Sequence, residues 1–469
     1  MKVAIYSPLP SWDPAQAGTA IPLEMERAVY DTLLGVDAKG NAIPWLATRW
    51  EYTDQAKTDL RLELREDVKF DDGTPFNSEV VVANLNRFKS ANGPQAAQLR
   101  SVASVTAVDK KTVDIKLSAA DPLLTYNLSQ AAGLQANPKS AAAGTLGTTP
   151  SGTGAYKLSP KSVEGTEYVY EARDGYWNPE VQHWKTMTLR LLSDPAAGFN
   201  ALASKQVDMA QIDPRQSKEA QARKLEVTQW TSAVQGLLLL DRAGTKVPAL
   251  GDVRVRQAIN YAFDRKLVVQ QNSQGDGEPT SQIFAPDSSA YVPELDNAYP
   301  YDLDKAKKLM ADAGYADGFT IKMPWAPGND VVQAFAKQSL EAINIKVETV
   351  SIPRQNFQAS ISGGDYVAPW SIIGLGPTWQ VVQRTLLPQS QYNAFKSTTP
   401  DVQKLLDAIQ QSGDSPEAAQ KLSRYMVENA WFAPWYRLAT PYAADGSKVK
   451  VLAQAYQNNP SIFGIVPAG

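Results

Sequence analysis

The chain has 469 residues, enough for about three domains. Its 46 basic and 49 acidic side chains leave a net charge of −3, which is not the basic field that nucleic-acid-binding proteins use. The sequence has no cysteine and one histidine, His183, which excludes disulfides, thiolate metal sites and any site with two histidine ligands. A hydrophobic fraction of 43% and a charged fraction of 20% are typical of a folded globular protein.

Neither the first residues nor any apolar run predicts a membrane or signal segment. Met1–Tyr6 reads as a strand and not as the charged and apolar regions of a signal peptide. The longest apolar run, Gly236–Leu240, is far shorter than the ~20 residues that a membrane helix needs. We therefore expect a mature extracytoplasmic protein whose signal segment is absent from this sequence, and the lack of cysteine suits that compartment.

The first half of the sequence predicts short strands alternating with helices. Strands are expected where apolar residues alternate, as at Leu60, Leu62 and Leu64, and helices where they recur every three or four positions. Asp109-Lys110-Lys111 predicts a hairpin turn. The predicted strands are Val3–Tyr6, Thr48–Thr53, Asp59–Arg65, Val102–Val108, Thr112–Leu117 and Met187–Leu192, and the predicted helices are Ile21–Leu34, Asn77–Lys89, Pro195–Ser204 and Gln216–Lys224.

The second half, from about Leu237, predicts a βαβα pattern and hence a mostly parallel sheet. Asp252 is the expected cap of a first helix, on which Arg254 and Arg256 face solvent. The predicted elements are the strands Phe319–Met323, Ile345–Val350, Val367–Ile373 and Ala433–Leu438, and the helices Val253–Phe263, Leu303–Ala313, Val331–Ile343, Pro353–Ile361, Thr378–Leu387, Asp401–Gln411 and Pro416–Trp431.

The common catalytic and cofactor motifs are missing from the sequence. It has no P-loop, no Gly-x-Ser-x-Gly, no His-Glu-x-x-His and no EF-hand loop. Its 49 acidic residues would always allow some carboxylate pair to be proposed, so a carbohydrate hydrolase stays an alternative. We predict no catalytic residue, no metal ligand and no cofactor, and a protein that is not an enzyme.

Tryptophan is the unusual feature, with 11 residues in the chain. Trp12, Trp325, Trp370 and Trp379 lie close to proline, glycine or serine, near the ends of predicted strands. In open α/β sheets, loops at the carboxyl ends of strands line the ligand crevice. These tryptophans are therefore candidates to stack on a ligand, and the alternative is that each simply packs in a core.

Several segments, taken together and in this order, resemble the solute-binding proteins of bacterial peptide/nickel/opine-type ABC importers, extracellular solute-binding protein family 5. The resemblance covers most of the chain. It implies an α/β, two-lobe periplasmic-binding-protein fold (Venus-flytrap) with an extra subdomain in lobe one. The segments are Pro44–Glu51, Leu64–Phe76, Ser151–Tyr156, Tyr176-Trp177, Ala201–Asp208, Asp252–Ile259 and Asp304–Tyr315.

The resemblance also implies an organisation and a partner. Lobe one would comprise 1–35, 155–235 and 436–469, its extra subdomain 36–154, and lobe two 242–430. Two crossing segments, near Ala233–Leu240 and Phe432–Leu438, would form a hinge, and closure would bury a ligand in the interlobe cleft. The expected protein is a monomeric receptor, periplasmic or lipid-anchored outside the cell membrane, that delivers a small organic solute to a cognate ABC permease and binds no nucleic acid.

The expected ligand differs from that of peptide-binding relatives. Those proteins hold the peptide amine with an aspartate, whereas the matching stretch here, Trp370–Trp379, contains no acid. The arginine that dipeptide binders use for the carboxylate falls near Pro327–Asp330, where this sequence has none. A buried charge needs a partner, so we predict a small uncharged ligand with an aromatic or amide part. The predicted ligand-binding residues are Trp12, Gln235, Trp325, Asn329, Trp370, Thr378 and Trp379.

Other ligand classes stay open at this point. An oligosaccharide- or peptide-binding receptor of the same family is the nearest alternative, because neutral pockets and backbone contacts suit both. A metal-chelate or haem scavenger is a further one, since a fully chelated metal would need no ligand from the protein.

Overall fold

A computed structural model describes residues 1–412, 415–457 and 459–469, with side chains for all of these except residues 354 and 355. Contacts divide the chain into two compact units. Unit 1 comprises Met1–Trp230 and Thr440–Gly469, and unit 2 comprises Thr231–Ala439. None of the helices in these described ranges is both long enough and apolar enough to cross a membrane.

The secondary structure is mixed, with strands and helices in both units. The strands are β1 Lys2–Ile5, β2 Leu34–Val36, β3 Ala42–Pro44, β4 Ala47–Tyr52, β5 Asp59–Leu64, β6 Val102–Ala107, β7 Thr112–Leu117, β8 Tyr156–Leu158, β9 Glu167–Ala172, β10 Thr186–Leu191, β11 Met209–Gln211, β12 Glu226–Leu238, β13 Gly277–Pro279, β14 Phe319–Trp325, β15 Ile345–Ser351, β16 Trp370–Gly374, β17 Phe432–Ala444, β18 Val449–Val451 and β19 Ile465–Pro467. The helices are α1 Ile21–Val29, α2 Ser78–Ser90, α3 Leu124–Asn127, α4 Pro138–Ala142, α5 Pro195–Ala203, α6 Ser217–Ala222, α7 Val253–Tyr261, α8 Arg265–Ser273, α9 Leu303–Asp312, α10 Asp330–Glu341, α11 Arg354–Ser362, α12 Thr378–Thr385, α13 Pro400–Ser412 and α14 Pro416–Glu428.

The main sheet of unit 1 contains the strands β11, β1, β10, β9 and β8 in that order. β1 runs parallel to both of its neighbours, while β10, β9 and β8 pair in antiparallel fashion. The C-terminal end of β17 pairs with β11. The buried residues of β1, such as Val3 and Ile5, carry this sheet into the hydrophobic core of the unit.

A second sheet of unit 1 is antiparallel, with the order β4–β5–β7–β6. The predicted hairpin is confirmed, since β6 and β7 pair across residues 109–111. The helix α2 is capped by Asn77, whose side chain accepts a hydrogen bond from the Val80 amide. The apolar face of α2, which includes Val81, Leu85 and Phe88, is buried.

The prediction of one helix over Ile21–Leu34 is wrong. Helix α1 ends at Val29, Tyr30 is extended, and Leu34–Val36 instead forms strand β2 with β3. Gly35 allows this pairing to close, because a Cβ there would lie 3.0 Å from side-chain atoms of Ile43 and Trp45. The apolar residues of this segment therefore form first a helix and then a strand. The pairing of β2 with β3 outweighs the helical spacing of the apolar residues.

Unit 2 has its own core, in which α7 packs on α9 and the strand pair β14–β15 is covered by α10. The prediction of a mostly parallel sheet here is wrong. Strands β14 and β15 do run parallel, but β16 pairs with β12 in antiparallel fashion. A sequence that alternates strands and helices does not show which strands pair with each other. Here β16 pairs with β12, which lies much earlier in the chain.

Arg256 also differs from its prediction. Asp252 does cap α7, and Arg254 is exposed beside it. Arg256, however, is only 6% exposed, and its guanidinium donates hydrogen bonds to the carbonyl oxygens of Leu250, Gly251 and Asn429. Three backbone acceptors replace the water that was expected around this charge.

Strands β12 and β17 each begin in one unit and end in the other. They approach each other closely at Gly236, where a Cβ would lie 2.4 Å from the Ala433 carbonyl oxygen and 2.6 Å from the Pro434 Cα. Only a residue without a side chain fits at this point. On the edge of β12 that faces away from this contact, its residues 233–237 pair with β16.

Candidate functional site

Two tryptophans stack on each other in unit 2. Trp325 is the last residue of β14 and Trp370 is the first of β16. Their ring centroids are 5.6 Å apart and their planes differ by 23°. Phe357 of α11 packs on Trp370 with a centroid distance of 5.9 Å. The three rings form an aromatic wall.

Gln235 lies on the same side of the sheet as this wall. In the antiparallel pair of β12 and β16, Gln235 is opposite Ile372 and Leu237 is opposite Trp370. Opposite residues of such a pair share one face, and so do alternate residues of one strand. Gln235 and Trp370 are therefore neighbours on one face, and Gln235 is 2% exposed.

Buried N–H groups without a hydrogen-bond partner concentrate here. The Nε1 atoms of Trp325 and Trp370 and the Nε2 atom of Gln235 have no partner within the described residues. An indole nitrogen only donates, and an amide nitrogen offers two donors. Because buried donors are nearly always satisfied in folded proteins, this group is suited to a molecule that brings acceptor oxygens.

Two further residues, Gln358 and Tyr392, are linked to these elements, and no sequence signal predicted them. In the part of the chain that the structure describes, the Nε2 atom of Gln358 also lacks a partner, and its Oε1 accepts from the Tyr392 hydroxyl at 3.3 Å. That hydroxyl is in turn 3.4 Å from the Ile372 carbonyl oxygen. No motif marks either residue. The one available signal for Gln358 is its position next to the apolar Phe357 on the predicted helix.

We call this set the aromatic–amide cluster: Gln235, Trp325, Phe357, Gln358, Trp370 and Tyr392. Its side chains offer ring faces, amide groups and a hydroxyl, and none of them is charged at neutral pH. The cluster can therefore stack on a flat group and hydrogen-bond to neutral acceptors.

Three other predicted site residues in unit 2 lie apart from these contacts. The Thr378 side chain is fully buried, its hydroxyl lies 2.8 Å from Ser288 Oγ and 2.5 Å from Ser289 Oγ, and it accepts from the Ala290 amide. Trp379 is 5% exposed within α12. Asn329 is half-buried and donates to the Ala326 carbonyl oxygen at 3.2 Å. The Thr378 hydroxyl is thus already engaged within the protein.

Trp12 belongs to unit 1. It is 6% exposed and contacts Tyr168 and Tyr170 edge-on, at centroid distances of 6.0 and 6.2 Å. Its carbonyl oxygen accepts a hydrogen bond from the Tyr30 hydroxyl at 2.8 Å. The carboxylate of Glu26 in the same unit is fully buried and has no hydrogen-bond partner among the described residues. Burial, together with the charge of Asp13, raises the pKa of Glu26 well above its ordinary value.

Of the three predicted tryptophans in unit 2, one lies at the carboxyl end of a strand. Trp325 does end a strand that is parallel to its neighbour. Trp370 instead begins its strand, and Trp379 lies in the first turn of α12, which follows the carboxyl end of β16. Within the described residues, no group of three or more histidine, aspartate or glutamate side chains is placed to hold a metal ion.

The comparisons with known proteins agree with this architecture. Residues 41–396 match the family model "Bacterial extracellular solute-binding proteins, family 5 Middle". The chain is similar to the glutathione-binding protein GsiB of Salmonella typhi, with 25% identity over 99% of this chain and 92% of the relative.

Two solved structures show the fold. HbpA2 from Haemophilus parasuis has a TM-score of 0.88 and 20% identity, over 100% of this chain and 99% of that one. DppA from Helicobacter pylori, in complex with the peptide STSA, has a TM-score of 0.77 and 17% identity, over 100% and 98%. The fold is thus the α/β, two-lobe fold of periplasmic binding proteins. Members of the matched family are periplasmic or extracellular transport receptors. The chain belongs to the bacterial extracellular solute-binding proteins of family 5 and is a solute-binding receptor of an ABC importer.

Proposed function

We propose that the protein captures a small uncharged organic solute, with an aromatic or amide part, and delivers it to a cognate ABC permease. The observation that supports this proposal is the set of buried, unpartnered N–H donors on Gln235, Trp325 and Trp370. Leaving such a donor unsatisfied costs about 1–3 kcal/mol, so an acceptor supplied by the solute would bind with a clear gain.

The proposed solute follows from the chemistry of the aromatic–amide cluster. The stacked rings of Trp325 and Trp370 favour a flat group, which packs against an indole face. The amides and the indole N–H groups favour carbonyl oxygens. Since the cluster holds no carboxylate and no cation, a charged solute group would be buried without a partner, at a cost of several kcal/mol.

A peptide is the second candidate, and the relatives favour it. One relative is named as a glutathione-binding protein, and one structural neighbour holds the peptide STSA. Backbone carbonyl groups of a peptide would serve the same N–H donors. The two candidates differ in the termini, because a free peptide brings an ammonium and a carboxylate that the cluster does not neutralise.

The test begins with native mass spectrometry of protein purified without refolding, which identifies any retained solute by its mass. Thermal unfolding is then measured with three probes: N-acetyl-phenylalaninamide, which is uncharged, phenylalanyl-phenylalanine, which is a zwitterion, and glutathione. We expect only the uncharged probe to raise the melting temperature. A probe at about 100 times its Kd should add ~2.7 kcal/mol of stability.

Two outcomes would overturn the proposal. If the zwitterion or glutathione raised the melting temperature and the capped compound did not, the protein would be a peptide receptor with charged subsites. If a probe or a retained solute were chemically converted on incubation, the carbohydrate-hydrolase or another enzymatic alternative would replace the receptor.

Four expectations from the family resemblance stay predictions. They are binding between the lobes, the contribution of Trp12 to that binding, the lobe boundaries and the monomeric state. Small-angle X-ray scattering tests the closure that the family resemblance implies. Addition of the bound solute should lower the radius of gyration, and an unchanged value at saturation would contradict closure.

A further inference from the structure

The C-terminal strap of unit 1, residues 452–457 and 459–465, is fixed at both of its ends. At one end Gln454 Nε2 donates to the Val36 carbonyl oxygen at 2.9 Å, next to the β2–β3 turn. At the other end the Ile462 amide donates to Glu24 Oε2 at 2.8 Å, on helix α1. The indole of Trp184 donates to the Ile465 carbonyl oxygen at 2.6 Å. These bonds hold the strap over α1 and β2–β3.

A cavity of about 280 Å³ lies between the strap and these elements. One wall is aromatic, since Trp45 and Phe463 are in contact at a centroid distance of 5.9 Å. Val36, Ile43 and Leu452 supply the aliphatic part of the lining. Leu452 stands at the rim and is 45% exposed. An apolar lining with a few polar groups is the ordinary composition of a small-molecule site.

The lining leaves no net charge to be matched. Among the residues described around the cavity, Arg27 is the one with a charge. The guanidinium of Arg27 is 3.1 Å from Glu24 Oε1 and also donates to the Ser129 carbonyl oxygen, so its charge is compensated from within α1. The remaining polar lining comes from Tyr30, Thr32, Gln454 and Ser461. An anionic ligand would find only a cation that Glu24 already compensates, and a cationic ligand would find no carboxylate in the described lining, so a neutral ligand is favoured.

The volume sets the size of the ligand. An apolar cavity of about 150 Å³ in another protein binds benzene and excludes water. The cavity under the strap has nearly twice that volume, which matches two fused rings. We propose that it is a second binding site, for an uncharged bicyclic compound with a hydrogen-bonding group at one edge. This inference does not rest on the proposed function, because every lining residue belongs to unit 1 and the aromatic–amide cluster belongs to unit 2.

Calorimetric titration with 2-naphthol, an uncharged bicyclic probe, tests the site on the full chain. We expect saturable one-to-one binding, and weaker binding of naphthalene-2-sulfonate, which has the same rings and a negative charge. The variant Leu452→Glu places a carboxylate at the rim and should weaken 2-naphthol binding by about tenfold or more. The matched control is Leu267→Glu, since Leu267 is also 45% exposed but lies in unit 2, and it should bind 2-naphthol as the wild type does.

Several outcomes would overturn the proposal. They are no saturable binding of 2-naphthol, equal binding of the sulfonate, or equal affinities of Leu452→Glu and Leu267→Glu. Melting temperatures of both variants establish that they are folded. If Trp370→Ala weakened 2-naphthol binding and Leu452→Glu did not, the probe would occupy the aromatic–amide cluster instead. A crystal soaked with 2-naphthol should show the rings against Trp45 and Phe463.

Discussion

Arg437 holds Asp296 with both of its terminal nitrogens: Nη2 lies 2.5 Å from Oδ1 and Nη1 lies 3.1 Å from Oδ2. Arg437 is on β17, is 1% exposed, and has its guanidinium 5.2 Å from the ring centre of Tyr291. Burial acts to raise the pKa of Asp296, but the hydrogen bonds from Arg437 and Tyr291 outweigh it, and the pKa is lowered. This ion pair fixes β17 within unit 2.

Replacing Arg437 by methionine should therefore strongly destabilise the protein. Without Arg437 the half-buried carboxylate of Asp296 keeps only neutral donors, from Thr280, Gln282 and Tyr291. We therefore expect a loss of roughly 1.5–3 kcal/mol in the free energy of unfolding, the range for a hydrogen bond to a charged group. Urea unfolding measures it. The control is Arg424→Met, because Arg424 forms a 2.6 Å pair with Glu294 in the same unit but both side chains are exposed, and its loss should be at most about 1 kcal/mol. Equal losses in the two variants would contradict the role given to the buried pair.

Glu26 should make stability fall as the pH rises. Its folded pKa lies well above the ordinary value of 4.5, so the folded state binds more protons than the unfolded state above pH 4.5. Ionising Glu26 in the folded state lowers the free energy of unfolding. This loss is absent below pH 4.5 and grows as the pH rises, until the pH exceeds the folded pKa. We expect Glu26→Gln to be more stable than the wild type at about pH 8 and to differ little from it at about pH 4.

Thermal unfolding across this pH range checks the prediction for Glu26. Glu24 is the matched control on the same helix, because its carboxylate accepts hydrogen bonds from Arg27 and from the Ile462 amide. Glu24→Gln should lower stability. A pH dependence that is identical in the wild type and in Glu26→Gln would show that Glu26 does not govern it.

Gly236→Ala should destabilise the protein at the point where β12 meets β17. The new Cβ would lie 2.4 and 2.6 Å from backbone atoms of Ala433 and Pro434, which cannot move aside as a side chain can. Overpacking of this kind costs about 1–3 kcal/mol, measured by urea unfolding. Gly147→Ala is the control, because its Cβ would meet only Ser11 Oγ at an ordinary distance of 3.6 Å. Equal stability of both variants would mean that the two strands separate at little cost.

Trp325→Phe tests whether the unpartnered indole N–H binds the solute. Phenylalanine keeps a ring stacked on Trp370 but removes the donor. The free energy of binding of the identified solute should therefore become less favourable by ~0.5–1.5 kcal/mol. Trp435→Phe is the control, since Trp435 Nε1 also lacks a partner within the described ranges but its ring packs on Phe263 and Phe335 in the core. Calorimetry with the retained solute should find a loss in the first variant and none in the second.

Local patterns predicted much of the fold. Asn77 and Asp252 mark the starts of α2 and α7 because a short polar side chain there accepts from the first helical amides. Long-range pairing was not predictable from these signals. The antiparallel placement of β16 depends on β12, which lies far away in the sequence. The end of α1 depends instead on the short β2–β3 pair, whose strands are close in sequence but whose apolar residues also fit a helical spacing.

The candidate site was predicted only in part. Gln235, Trp325 and Trp370 were named from the sequence, and the structure brings them into one cluster. Thr378 was also named as a ligand-binding residue, and its hydroxyl lies against serines about 90 positions away, where no local pattern records them. Gln358 was missed for the same reason, since its relation to Ile372 runs through Tyr392.

The two crossings of the chain, at β12 and β17, have a consequence for the order of synthesis. Unit 2 is one continuous segment, whereas unit 1 needs its last 30 residues, Thr440–Gly469, which leave the ribosome after all of unit 2. Until then β11 lacks its partner in β17, and the strap that closes the cavity does not exist. Unit 2 can therefore fold first, while unit 1 still lacks the end of β17 that pairs with β11.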